Sequence, residues 1–153
     1  MNPILDAPVV AEQKMEYAGF WIRFVAAIID GIILGIVNTI LSFAILGSSV
    51  GLGGGEAFGA MLGVYYLINF SINVGYFALL ESSAKQATLG KMAVGIKVGD
   101  ENGQRISGLN AVGRYLSKII STIILLIGYI MAAFDPKKQA LHDKIAGTVV
   151  YYG

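Results

Sequence analysis

The chain has 153 residues, of which 56% are hydrophobic and only 14% are charged, and its formal net charge is +1. A soluble domain of this size has too small an interior to bury so much apolar surface, so the composition predicts a membrane protein. The absence of cysteine excludes disulfides and cysteine-ligated metals, and the near-zero net charge gives no sign of a nucleic-acid-binding surface.

The first apolar run, Phe20–Leu46, is long enough to cross a bilayer, yet it contains Arg23 and Asp30. A charge at the centre of a spanning helix costs about 2.5–3.5 kcal/mol on insertion scales. The two side chains lie on nearly one face but about 10 Å apart along the axis, so each is expected to bond to another segment. Asp30 is then either part of a structural clasp between helices or a cation or proton site.

A second apolar run, Ala57–Leu80, contains no charged residue and is also long enough to cross. Asn69 and Asn73 lie one helical turn apart within it, and Tyr66 and Tyr76 fall close to the same face. Together with Asn38 of the first run, they are expected either to line a polar interior beside Asp30 or to make hydrogen bonds between helices.

A third apolar run, Ile119–Phe134, is short for a span, but it becomes long enough when it is extended back to about residue 110. Arg114 and Lys118 then share one face of the helix. They either extend to the membrane surface and its lipid phosphates or supply a counter-charge for Asp30.

Basic residues predict the orientation. Residues 47–56, between the first two runs, carry no Lys or Arg, whereas residues 81–118 carry six. By the positive-inside rule the N-terminal tail (residues 1–15) and this second connection are cytoplasmic, in a protein integral to the plasma membrane. A third full crossing would place the lysines of residues 137–144 outside, which a re-entrant or interfacial hairpin bent near Gly128 avoids.

Two segments after the second run have strand character. Asn102-Gly103, between two β-compatible stretches, predicts a β-hairpin, and the tail Gly147–Tyr152 is expected to pair with it if both lie on one side of the membrane. The predicted fold is an all-α membrane protein in which residues 16–153 form one membrane domain. It has two to three transmembrane helices, of which the third is amphipathic or re-entrant, and a small cytoplasmic β-hairpin; the spans lie near residues 20–46, 57–80 and 110–134.

Several motifs in this chain resemble the RDD family of small membrane proteins, which is named for one arginine and two aspartates. The family's arginine near the start of the first helix matches Arg23, and its aspartate within that helix matches Asp30. Its T-L-G-K block resembles Thr88–Lys91, and its closing L-x-D-x-x-A-G-T block resembles Leu141–Val149, which places the second aspartate at Asp143.

No enzymatic activity is expected. His142 lies beside Asp143, but no nucleophile motif accompanies the pair, and the acid is expected to engage Arg23 or backbone amides instead. Neither a cofactor nor a metal site is expected from the residue types present.

Two functions remain open. Transport has been proposed for the RDD family and some members are linked to sodium–proton exchange, so one hypothesis is an oligomeric transporter of a cation or a small solute. Its ion or proton site would be formed by Arg23, Asp30 and Asp143, and its supporting polar face by Asn38, Asn69, Asn73 and Lys118. The alternative is a non-transporting adaptor or assembly factor that docks a protein or a lipid through its cytoplasmic basic loop. The expected partners are the lipid bilayer, a second copy of the chain, and an unidentified membrane protein or a cation.

Overall fold

A computed structural model describes residues 15–49, 55–123 and 127–153. The predicted N-terminal tail therefore lies, up to residue 14, outside the described residues. The elements are α1 (Phe20–Ser49), α2 (Gly55–Glu81), α3 (Leu89–Ala93), β1 (Ile96–Gly99), α4 (Gly108–Ile123), α5 (Ile127–Phe134), α6 (Leu141–Ala146) and β2 (Val149–Tyr152). The fold is mainly helical with one small antiparallel sheet, as predicted for an all-α membrane protein.

Helices α1 and α2 pack against each other. Among the described residues, each of them provides one segment that is long and apolar enough to cross a membrane. These segments are Phe20–Gly47, with 28 residues, and Phe58–Glu81, with 24 residues. Most of their surface is exposed, and it carries large apolar side chains such as Ile32, Phe43 and Leu67. Such a continuous apolar surface suits a lipid environment.

The chain before α1, the segment after α2 and the C-terminus meet at one end of the α1–α2 pair. Strand β1 pairs with β2 in antiparallel register, from Ile96 opposite Tyr152 to Gly99 opposite Val149. On the other side of β2, the N–H of Ala18 donates to the carbonyl of Val150 at 2.9 Å. We call the elements gathered at this end, α3 to α6 with β1 and β2, the platform.

The partner of β1 differs from the hairpin that Asn102-Gly103 suggested. A tight turn is present, because the N–H groups of Gly103 and Asp100 donate to the carbonyls of Asp100 and Gln104. The residues after this turn form no strand within the described part of the chain. The C-terminal tail supplies the second strand instead, and it buries Ile96, Val98 and Val150 between the sheet and the helices.

The third apolar run forms two helices, α4 and α5, with residues 124–126 between them outside the described residues. Gly128, where a bend was predicted, lies within α5. Helix α4 packs against α2 and α6, and α5 packs against α1, α4 and α6. The segment therefore begins beside Ser82, at the end of α2, and leads into α6 within the platform.

Candidate functional site

The carboxyl group of Asp30 accepts hydrogen bonds from three uncharged donors. This residue lies on α1 about 15 Å along the axis from the helix start, and only 3% of its surface is exposed. The hydroxyl of Tyr76 and the N–H of Gly90 donate to Oδ1 at 2.6 and 2.7 Å, and the hydroxyl of Thr88 donates to Oδ2 at 2.6 Å. Among the described residues no Lys or Arg forms an ion pair with Asp30, so its carboxylate is held by dipoles alone.

The T-L-G-K block is folded to meet this carboxylate. Thr88 is the N-cap of α3: its hydroxyl oxygen accepts from the N–H of Lys91 while the hydroxyl itself donates to Asp30. Gly90 allows the close approach, because an added Cβ would lie 2.2 Å from the carbonyl oxygen of Ala26 and 2.8 Å from Cγ of Asp30. We call Asp30, Tyr76, Thr88 and Gly90 the Asp30 clasp.

The substitution Gly90→Ala is expected to lower the free energy of unfolding by about 1–3 kcal/mol, because the new methyl group overpacks the clasp. Thermal unfolding in detergent measures the change. The control is Gly113→Ala in α4, where an added Cβ meets nothing within 4 Å and alanine favours the helix by roughly 0.5–1 kcal/mol. An equal loss of stability in both variants would contradict the clasp.

A separate group of acidic and basic side chains, which we call the charged cluster, joins the two membrane helices to the platform. It contains two acids and four bases: Glu81, Asp143, Arg23, Lys91, Arg114 and Lys118. Glu81 is fully buried at the end of α2. Its Oε1 contacts Nζ of Lys91 and lies 3.2 Å from Nζ of Lys118, and its Oε2 lies 3.2 Å from Nε of Arg114.

Asp143 is the second acid of the charged cluster and is also fully buried. Its Oδ2 contacts Nη1 of Arg23 and accepts from the N–H of Ala140 at 3.0 Å, and its Oδ1 lies 2.7 Å from Nη1 of Arg114. The same Nη1 of Arg114 donates to Thr148 Oγ1 at 2.6 Å. Arg114 thereby bridges both acids, and the contact that was predicted between Asp143 and Arg23 is present.

The sequence of α4 explains how these bases reach the interior. Ala111, Arg114, Ser117 and Ser121 follow one another at intervals of three or four residues and are all buried. The other faces expose Leu116, Ile119 and Ile120. The helix therefore turns its polar side inward and its apolar side outward, which suits a helix in contact with lipid.

Neither alternative that the sequence left open for Arg114 and Lys118 is found. Arg114 is only 2% exposed, so it does not extend to the membrane surface, and Lys118 pairs with Glu81 and not with Asp30. Nζ of Lys118 also lies 4.3 Å from the ring centre of Phe77, which adds a cation–π contact.

Among the described residues, the asparagines of the predicted polar face make no hydrogen bond to Asp30. Within α2, Nδ2 of Asn73 donates to the carbonyl and side-chain oxygens of Asn69 at 2.8 and 3.0 Å. The buried Oδ1 of Asn38 has no hydrogen-bond partner in the described part of the chain. The residue through which α2 reaches Asp30 is Tyr76, one turn beyond Asn73.

Sequence reasoning missed Glu81 and the role of Lys91. A signal for Glu81 was available, because it is an acid at the end of an uncharged span and is followed by a connection with six bases. Buried bases require a nearby acid, and Glu81 is the first one that follows the span. No group of three His, Asp or Glu side chains that could hold a metal occurs within residues 15–49, 55–123 and 127–153.

The substitution Glu81→Gln is expected to lower the free energy of unfolding by about 3–5 kcal/mol, because it removes the acid that pairs with Lys91 and Lys118 and one of the two acids that contact Arg114. Thermal unfolding in detergent is the measurement. The matched control is Glu101→Gln, which removes the exposed pair with Lys137, whose side chains are 61% and 44% exposed, and should cost no more than about 1 kcal/mol. A similar small change in both variants would show that the charged cluster contributes little.

His142 is buried against the charged cluster on α6, a helix outside the two spanning segments. Its Nε2 lies 3.4 Å from Oδ1 of Asp143. Burial lowers the pKa of His142 to about 3; Asp143 opposes this shift, and Arg114 adds to it. His142 is therefore neutral at neutral pH. Burial alone would raise the pKa of Asp143, but Arg114 and Arg23 hold it below its usual range.

These shifts predict a loss of stability on acidification. Below pH 6.5 the unfolded chain protonates His142 while the folded chain does not, so falling pH favours unfolding. Between pH 6.5 and 5 the effect reaches up to about 2 kcal/mol, and Asp143 acts only at lower pH. Melting temperatures in detergent at pH 7 and pH 5 should differ less in His142→Gln than in the unchanged protein. An identical pH dependence would refute this assignment.

Comparison with known proteins places these residues in a family context. A model of the RDD family matches residues 17–147, a range that includes both the Asp30 clasp and the charged cluster. No solved structure matches the chain.

Three proteins of Bacillus subtilis (strain 168) are similar to the chain over most of its length. The uncharacterized protein YxaI is 42% identical, over 88% of this chain and 97% of that relative. The uncharacterized membrane protein YteJ is 34% identical, over 89% of this chain and 81% of that relative. The uncharacterized protein YckC is 28% identical, over 88% of this chain and 84% of that relative.

Proposed function

The chain belongs to the RDD family of membrane proteins, and on this premise we propose that it is a non-transporting adaptor which docks another membrane protein. In this proposal it resides in the plasma membrane with its N-terminus in the cytoplasm. Because the platform gathers residues 15–19, the segment after α2 and strand β2 at one end, the C-terminus is then cytoplasmic too. The lysines of residues 137–144 consequently obey the positive-inside rule.

The observation that carries this proposal is that the family's charged residues have partners within the same chain. Asp30 bonds to Tyr76, Thr88 and Gly90, and Asp143 bonds to Arg23 and Arg114. A transport site needs groups that exchange partners with a solute, whereas these groups hold the platform on the membrane helices. They support a rigid scaffold better than a pathway.

The basic loop is a weaker docking surface than its composition implied. Lys91, Arg114 and Lys118 provide half of the six bases in residues 81–118, and all three turn into the charged cluster. These three basic side chains pair with an acid inside the chain, so they do not contribute to a basic surface for a partner. We therefore locate the docking surface within the membrane.

That surface is a face of α1 formed by Gly31, Gly35, Asn38 and Ser42. A Cβ added at either glycine would meet no described atom within 4 Å, so no described residue packs closely against Gly31 or Gly35. Small residues let a second helix approach closely. Asn38 and Ser42 are half-buried at the edge of this face, next to the glycines. A helix of another membrane protein can therefore pack against Gly31 and Gly35.

The second candidate is transport of a cation, such as sodium–proton exchange, by an oligomer. Its support is the polar character of α2, where Asn69 and Asn73 are half-buried at bilayer depth and bond mainly within their own helix. Several copies that bring these amides together would enclose a polar interior.

Flux and crosslinking measurements separate the two candidates. The purified protein in sealed vesicles with opposed sodium and proton gradients is expected to give no flux above that of empty vesicles, with an ionophore as the positive control. In native membranes a photo-crosslinking residue at position 42 is expected to capture a protein. The same residue at position 43, on a different face of α1, is expected to capture none.

Sodium or proton flux that disappears in a folded Asp30→Asn variant would overturn the adaptor proposal and favour transport. If the crosslinking residue captures no protein at position 42, the proposed docking surface is wrong.

A further inference from the structure

A cavity opens where α1 begins and α5 ends. It has a volume of about 390 Å³, and its walls include Gly19, Phe20, Trp21, Ile130 and Phe134. Trp21 is 74% exposed and Phe134 is 85% exposed. A second opening shares Gly19, Phe20 and Trp21 and continues along α1 past Ile22 and Val25. The walls are almost entirely apolar.

Lys138 is the charged residue at both openings. Its amine lies over the backbone at Gly19, where an added Cβ would come within 3.9 Å of Nζ. Its backbone has a positive φ of 49°, and its N–H donates to the carbonyl of Asp135 at 2.9 Å, so the loop fixes its position.

Among the described residues, Lys138 differs from the neighbouring lysines because no acidic side chain forms an ion pair with it. Lys137 pairs with Glu101, and Lys144 pairs with Asp135. Within the described residues Lys138 forms no ion pair. The cavity therefore combines one uncompensated positive charge with a long apolar wall, which is complementary to a ligand that has an anionic head and a hydrocarbon tail.

We propose that this cavity binds an anionic phospholipid, with its phosphate at the amine of Lys138 and an acyl chain along Trp21, Phe134 and Val25. The depth fits this ligand, because Phe20 and Trp21 begin a spanning helix, where aromatic residues lie at headgroup level. The inference goes beyond the proposed adaptor function and does not require it, since lipid binding and docking use different faces of α1.

Trp21 provides a direct probe, because it is the only tryptophan in the chain. The full chain is reconstituted in phosphatidylcholine vesicles that contain increasing fractions of phosphatidylglycerol brominated on its acyl chains, or of equally brominated phosphatidylcholine. Bromine quenches Trp21 fluorescence on contact. The unchanged protein should reach half of its maximal quenching at about a five-fold lower fraction of the anionic lipid, the effect expected of one lysine near the membrane surface.

The variants assign this preference to one side chain. In Lys138→Gln, half-maximal quenching should occur at about the same fraction of either brominated lipid. Lys138→Arg should retain the preference for the anionic lipid. Lys85→Gln, which removes an exposed lysine near the end of α2, should leave this preference unchanged. Added inorganic phosphate should not compete, because the acyl chain contributes to binding.

Equal quenching by both lipids in the unchanged protein would overturn the inference, as would an equal effect of Lys85→Gln and Lys138→Gln. Loss of the preference in added inorganic phosphate, but not in chloride of equal ionic strength, would also overturn it, because the acyl chain would then contribute nothing to binding. None of these outcomes affects the flux or crosslinking results, so the lipid site and the adaptor function fail or survive separately.

Discussion

The guanidinium of Arg114 lies between two fully buried acids, Glu81 and Asp143, and this bridge connects two helices of the platform to the end of α2. Glu81 ends α2, Arg114 lies on α4 and Asp143 lies on α6, so one side chain connects three helices. Arg23 adds α1 through Asp143. Without the acids, several bases would be buried with no counter-charge, which costs far more free energy than an exposed pair can return. The helices can therefore adopt only an arrangement that keeps acids and bases together.

The Asp30 clasp uses a different kind of interaction. Its donors are two hydroxyl groups and one backbone N–H, so all three hydrogen bonds to Asp30 come from uncharged groups. Hydrogen bonds to a carboxylate are strong when its surroundings are dry, and they require close geometry. This requirement explains the glycine at position 90, where any side chain would displace the carbonyl of Ala26 or Asp30 itself. The clasp fixes α3 against the membrane helix, while the charged cluster fixes α4 and α6.

The two membrane helices were predictable because length and apolar composition suffice to identify them, and the strand character of the C-terminal tail predicted that it would pair with the segment before Asn102. The hairpin predicted from Asn102-Gly103 was wrong, because the returning tail pairs with β1 in place of the residues after the turn. For the site, the contact of Arg23 with Asp143 was anticipated. Tyr76 was placed on the face expected beside Asp30, but the bonds from Thr88 and Gly90 were not anticipated, since a charge in a span predicts that a partner exists but not whether it is an ion or a set of dipoles. For the same reason, one alternative for Lys118, a counter-charge to Asp30, was wrong, because Lys118 pairs with Glu81.

The arrangement also explains why the charged residues stand so far apart in the sequence. Arg23 and Asp143 are separated by 120 residues, and their contact forms only when α6 and β2 have returned to the start of α1. Asp30 and Gly90 are separated by 60 residues and meet when α3 reaches back to α1. Both acids thus join α1 to segments that follow it much later in the chain. Because α1 is mostly exposed to the surroundings, these polar contacts and the apolar packing beside them at Ala18 and Ala26 hold the platform in place. The named residues of the family therefore connect a membrane helix to the folded platform.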